Sequence, residues 1–159
     1  EHYTLAHAVM DNNAEDLTFS GKRDLSISTL MITLLAEKGG NFNLMLPEDI
    51  RDHYWNPPLA CGHGRGYNNE FVSKLQALAL SYGADPLLKG SYHMGLKEAL
   101  DPLHPYTARD KVLQDTFLDD LARMQKVGKP IHLHENTKPL LQHLINFKRT
   151  QLLGIETLL

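Results

Sequence analysis

The stretch Tyr82-Gly83-Ala84-Asp85-Pro86-Leu87-Leu88-Lys89-Gly90-Ser91-Tyr92-His93-Met94-Gly95-Leu96-Lys97-Glu98-Ala99-Leu100 decides how this chain is read. Phe71, Val72, Leu75, Leu78 and Ala79 lead into it at spacings that share one helical face. Gly83 then stands where a left-handed glycine closes a helix. A turn and an extended finger follow. Leu96, Ala99 and Leu100 open the next apolar helix.

The pattern recurs on both sides. Leu34-Leu35-Ala36-Glu37-Lys38-Gly39-Gly40-Asn41-Phe42-Asn43 has the same form: an apolar helix end, a glycine, a small residue, an Asn and a second Asn two positions later. Leu121-Ala122-Arg123-Met124-Gln125-Lys126-Val127-Gly128-Lys129-Pro130 is a weaker third copy. A helix–turn–finger unit repeated at a near-constant interval predicts an all-α repeat array, each unit burying its neighbour's apolar face.

Residues 74–100 resemble the join between two ankyrin repeats, whose unit is a β-turn plus two antiparallel helices with a period of about 33 residues. Gly83-Ala84-Asp85 matches the family's Gly-Ala-Asp turn. Its first-helix start, Thr-Pro-Leu-His, is echoed by Tyr3-Thr4-Leu5-Ala6, Pro57-Pro58-Leu59-Ala60, Met94-Gly95-Leu96-Lys97 and Lys138-Pro139-Leu140-Leu141. The resemblance implies an ankyrin-type repeat solenoid: one domain over residues 1–159, with four degenerate repeats near 1–43, 44–86, 87–130 and 131–159, finger loops and inter-helix insertions. Helices are expected at 3–12, 26–38, 57–63, 69–82, 95–101, 111–126, 138–147 and 150–158. The turn glycines are further apart than the family period, by about 11 or 12 residues. The extra length is expected between paired helices, around 13–25 and 101–110, and in a lengthened first finger around Leu44 to Tyr54.

Composition narrows the function classes. A formal net charge of −3 provides no electrostatic footprint for nucleic acid or an anionic membrane surface. No apolar run is long enough to span a bilayer, so no membrane insertion is expected. Cys61 is the single cysteine. It cannot form an intrachain disulfide, and a reducing, cytoplasmic compartment is the natural expectation.

Three constellations have chemical readings. Cys61 and His63 are the residue types of a thiol hydrolase, but Cys61 falls on an apolar position of an expected first helix, the place of a small buried hydrophobe. His132, His134 and Glu135 alternate along a finger and could begin a zinc site, with His104 or His143 brought near by folding. A polar, partner-facing finger is the plainer reading, and no metal or cofactor is expected. Glu37-Lys38-Gly39-Gly40-Asn41 is similar to the Glu-Ser-Gly-Gly-Asn of lysozyme-like lytic transglycosylases, which implies Glu37 as general acid of a peptidoglycan lytic enzyme. The family's following Gly-Leu-Met-Gln segment is missing after Asn43, so this stands as the alternative to the repeat reading.

The ankyrin resemblance implies a non-enzymatic module that binds a partner protein through its fingers and first helices. Asp52-His53-Tyr54-Trp55 occupies the lengthened first finger, and Tyr92-His93 the equivalent place in the second. Tyr and Trp combine large contact area with a polar tip, as interface anchors do. Asp49, Arg51, Asp52 and Lys89 form the expected charged rim. Arrays with such irregular insertions resemble effectors that intracellular bacteria deliver into host cells, which implies action in a host cytoplasm.

Overall fold

The structure is a computed structural model, and it describes residues 25–44, 70–88, 96–104 and 108–149. Among the described residues four helices form: α1 (Leu25–Glu37), α2 (Glu70–Ser81), α3 (Ala108–Lys126) and α4 (Thr137–Phe147). No strand occurs among the described residues, and this part of the chain is all-α.

Three of the helices end in the same way. Gly39, Gly83 and Gly128 all have positive φ, at 81°, 92° and 72°. At each, the glycine N–H donates to a carbonyl three residues back: Ala36, Leu80 and Gln125. The following N–H donates five residues back, from Gly40 to Leu35, Ala84 to Ala79 and Lys129 to Met124. This paired closure is the Schellman motif, and it satisfies carbonyls that a helix end leaves without partners. The glycine spacing read from the sequence is therefore a structural repeat of helix ends.

Packing centres on α2, which meets α3 along much of its length and α1 more lightly. Its positions from Val72 to Ser81 are buried on every side except Lys74. A helix covered all round belongs in the middle of an assembly. Ile32 and Phe42 reach the core from one flank, and Leu113, Phe117 and Leu121 of α3 from the other. Leu96 and Leu100 join them, as do Leu141, Leu144 and Ile145 of α4. Each such side chain contributes about 1.5–3 kcal/mol by leaving water. At the surface, Lys129 Nζ lies 3.4 Å from Glu37 Oε1, so the end of α1 is linked to the segment that follows α3.

The observed helices correct some expectations. α3 starts at Ala108 rather than 111 and runs for 19 residues, against 12 in α2. Part of the extra length of that unit is therefore helix, not loop. The expected helix at 95–101 is a single turn where it is described, with Leu100 N–H bonded to Leu96 O and Asp101 N–H to Glu98 O. Proline disfavours helical geometry at the residue before it, and Asp101-Pro102 stops the turn there. Asp101 Oδ1 takes the Leu103 N–H at 2.9 Å, folding the chain away from a helix. The buried Gln114 amide donates to Ala99 O at 2.9 Å and Asp101 O at 3.3 Å, satisfying carbonyls this short turn leaves open. The expected helices at 3–12, 57–63 and 150–158 lie outside the described residues, as does the stretch 13–24.

Candidate functional site

Polar side chains tie the turns after Gly39 and Gly83 to each other and to the start of α4. Asn41 Oδ1 accepts the Asn43 N–H at 2.8 Å, and Asp85 Oδ1 accepts the Leu87 N–H at 2.9 Å. Both Asx residues stand two places after their turn glycine, so the first two turns share a local fold. In the third turn Pro130 occupies that place.

Asn43 spans the gap to the next turn. Its Nδ2 donates to Gly83 O at 3.0 Å, and its Oδ1 accepts the Asp85 N–H at 2.6 Å. From the opposite side, Asn136 Nδ2 donates to Asp85 Oδ1 at 3.1 Å. His134 Nε2 faces Asp85 Oδ2 at 3.8 Å. The Asn136 N–H donates to His134 Nδ1 at 3.1 Å, which leaves the ring hydrogen of a neutral imidazole on Nε2, toward the carboxylate. Asp85 is thus a hub. One carboxylate and one backbone N–H hold Asn43 of the first turn, their own turn, and the residues that lead into α4. The third finger packs closely here: a Cβ on Gly83 would sit 3.0 Å from His132 O.

The structure separates the residues that were candidates for a metal site. His134 is taken up by Asp85 and Asn136, while His132 and Glu135 are exposed. His104 and His143 meet, but at Asp101: His143 Nε2 is 3.3 Å from Oδ1 and His104 Nε2 is 4.0 Å from Oδ2. The Leu103 N–H holds the Asp101 carboxyl below the ordinary carboxylate range, and the two imidazoles add to this. Among the described residues no group of three His, Cys, Asp or Glu side chains is arranged to hold a metal ion.

Asn136 precedes α4 but does not cap it with its side chain. Its amide is bonded to Asp85 instead. Glu37 is about half exposed and faces Lys129.

Asp49, Arg51, Asp52, His53, Tyr54, Trp55, Lys89, Tyr92 and His93 lie outside the described residues, as does Cys61. The described residues next to them in sequence are the turns after Gly39 and Gly83. Leu44 and Leu87 are exposed apolar side chains beside the two Asx turns. Sequence reasoning did not single them out as exposed, although each stands at a turn it had picked out. No protein-family model matches the chain, and no curated protein or solved structure matches it.

Proposed function

We propose that this chain is a protein-binding module: an ankyrin-type repeat array that holds finger loops in fixed register along one edge for a partner protein. The observation that supports it is the hub at Asp85, which joins the turns after Gly39 and Gly83 to the start of α4 through Asn43, His134 and Asn136. Loops that bind are effective when a rigid scaffold positions them, because less conformational entropy is lost on binding. The equal glycine closures at 44- and 45-residue intervals support the repeat reading. Tyr54, Trp55, Tyr92 and His93 are the proposed anchors, with His53 beside them and Asp49, Arg51, Asp52 and Lys89 as the rim. The style of the insertions favours a bacterial effector acting in a host cytoplasm.

The test is affinity capture from a eukaryotic cytosol, followed by titration of the purified partner against wild type and a Tyr54→Ala, Tyr92→Ala double variant. Saturable binding that weakens in the variant, with its circular dichroism unchanged, supports the reading. Full affinity in the folded variant moves the site off these fingers. Clearing of peptidoglycan by the wild type and not by Glu37→Gln would replace the module with the lytic enzyme.

A further inference from the structure

The residues that lead into α4 are already wound as helix. The Thr137 N–H donates to His134 O at 2.9 Å, and Asn136 has helical dihedrals, φ −72° and ψ −17°. His134 therefore stands where an N-cap residue stands, and its side chain acts as a cap. Nδ1 accepts the N–H of the residue two places on, Asn136, at 3.1 Å. The common caps are Ser, Thr, Asp and Asn, whose oxygens remain acceptors near neutral pH. An imidazole accepts only while it is neutral, because both ring nitrogens carry hydrogen once it is protonated.

The other ring nitrogen faces a second partner. Nε2 lies 3.8 Å from Asp85 Oδ2, beyond hydrogen-bond reach. Asp85 Oδ1 is already engaged by the Leu87 N–H and the Asn136 carboxamide, so Oδ2 is the oxygen turned to the ring. Among the described residues, Asp85 is the charged group that faces His134. Asn43, which reaches Asp85 from the first turn, is uncharged, and the neighbouring His132, Glu135 and Lys138 are exposed. The His134 side chain is 26% exposed, so solvent protons reach it.

We propose that His134 is a pH-sensitive cap of α4. When a proton from solvent adds to Nδ1, the Asn136 N–H faces a donor and loses its acceptor. A positive charge then stands at a helix N-terminus, where it is unfavourable. The imidazolium turns from Asn136 toward Asp85 Oδ2 and forms a charge-assisted hydrogen bond there. Histidine is the side chain whose ordinary charge change falls between about pH 5 and 8. Mild acid therefore frays the start of α4 at its joint with the turn after Gly83. This goes beyond the proposed binding function and holds whether or not the fingers bind a partner.

The test is nuclear magnetic resonance of the isotope-labelled full chain, titrated from about pH 8 to about pH 5. Ring nitrogen shifts at the upper end should show the hydrogen on Nε2. The Asn136 amide proton should move upfield with the same midpoint as the His134 ring. Its hydrogen-exchange protection, corrected for the intrinsic pH dependence of exchange, should fall several-fold across that midpoint. His134→Asn supplies an acceptor that does not titrate, and it should hold the protection of Asn136 constant over the range. If that variant does not fold, the wild-type shifts decide alone. A neutral ring with its hydrogen on Nδ1 overturns the proposal. So does an Asn136 amide that fails to follow the ring, or a folded His134→Asn protein that keeps the wild-type response.

Discussion

Asn43 and Asp85, 42 residues apart, are joined by a 2.6 Å hydrogen bond from the Asp85 backbone N–H to the Asn43 side-chain oxygen. The same Asn43 carboxamide donates to Gly83 O. One side chain therefore serves both an acceptor and a donor of the neighbouring turn, and it does so where the turn meets the core.

Asn43→Ala should cost about 1–3 kcal/mol, since it leaves two backbone groups without their partner in a half-buried site. Asn43→Asp should also destabilise, because a carboxylate accepts the Asp85 N–H but cannot donate to Gly83 O. Urea denaturation of both variants checks this. Wild-type stability in Asn43→Ala would show that water replaces the bridge without loss.

Gly83→Ala and Gly128→Ala separate backbone strain from crowding. Both glycines are left-handed, a conformation that costs an L-residue about 1–2 kcal/mol. A Cβ at Gly128 meets nothing within 4 Å, whereas one at Gly83 meets His132 O at 3.0 Å. Gly83→Ala should therefore lower the melting temperature more. Equal shifts would mean that the third finger moves aside freely.

Leu78 and Leu121 are expected core residues from their place on the apolar faces before Gly83 and Gly128, and both are buried, Leu121 completely. Leu→Ala at either should destabilise by about 2–5 kcal/mol, from lost transfer energy plus a residual cavity. Chemical denaturation gives the value. The two sites lie on the packed pair α2 and α3, so the double variant tests coupling across that contact.

Asp120 and Asp101 should give opposite pH dependence. Burial pushes the Asp120 carboxyl up, against a smaller opposing effect of Arg123, and its Oδ2 is buried without a hydrogen-bond partner. A raised folded value means that the favourable contribution exists at low pH and is lost as pH rises through that value. Asp120→Asn should thus stabilise the protein near pH 7 and do little at acid pH. For Asp101 the folded value is lowered, chiefly by the Leu103 N–H. Its contribution is present above the unfolded carboxylate range and disappears as pH falls through the lowered value. Asp101→Asn should therefore destabilise near pH 7 and converge with wild type in acid. Melting curves of both variants across pH 3–7 (the range set by carboxylate titration) measure the two slopes, and slopes of the same sign would contradict this assignment.

The ends of α1, α2 and α3 were legible from sequence alone, because a Schellman closure is local. It needs only a residue tolerant of positive φ just past an apolar helical run, and Gly39, Gly83 and Gly128 supply it. Buried positions such as Leu75, Leu78 and Leu121 were legible for a related reason: helical periodicity is a short-range property. The roles of Asn43, His134 and Asn136 were not. Each pairs with Asp85 across 42 to 51 residues, and which polar turn residues meet depends on how the units stack. The same limit applies to α1 and α2. Both read as apolar helices, yet α2 is enclosed while Leu30, Met31 and Leu34 of α1 face outward. Periodicity defines a face, but only the tertiary arrangement decides whether a neighbour covers it.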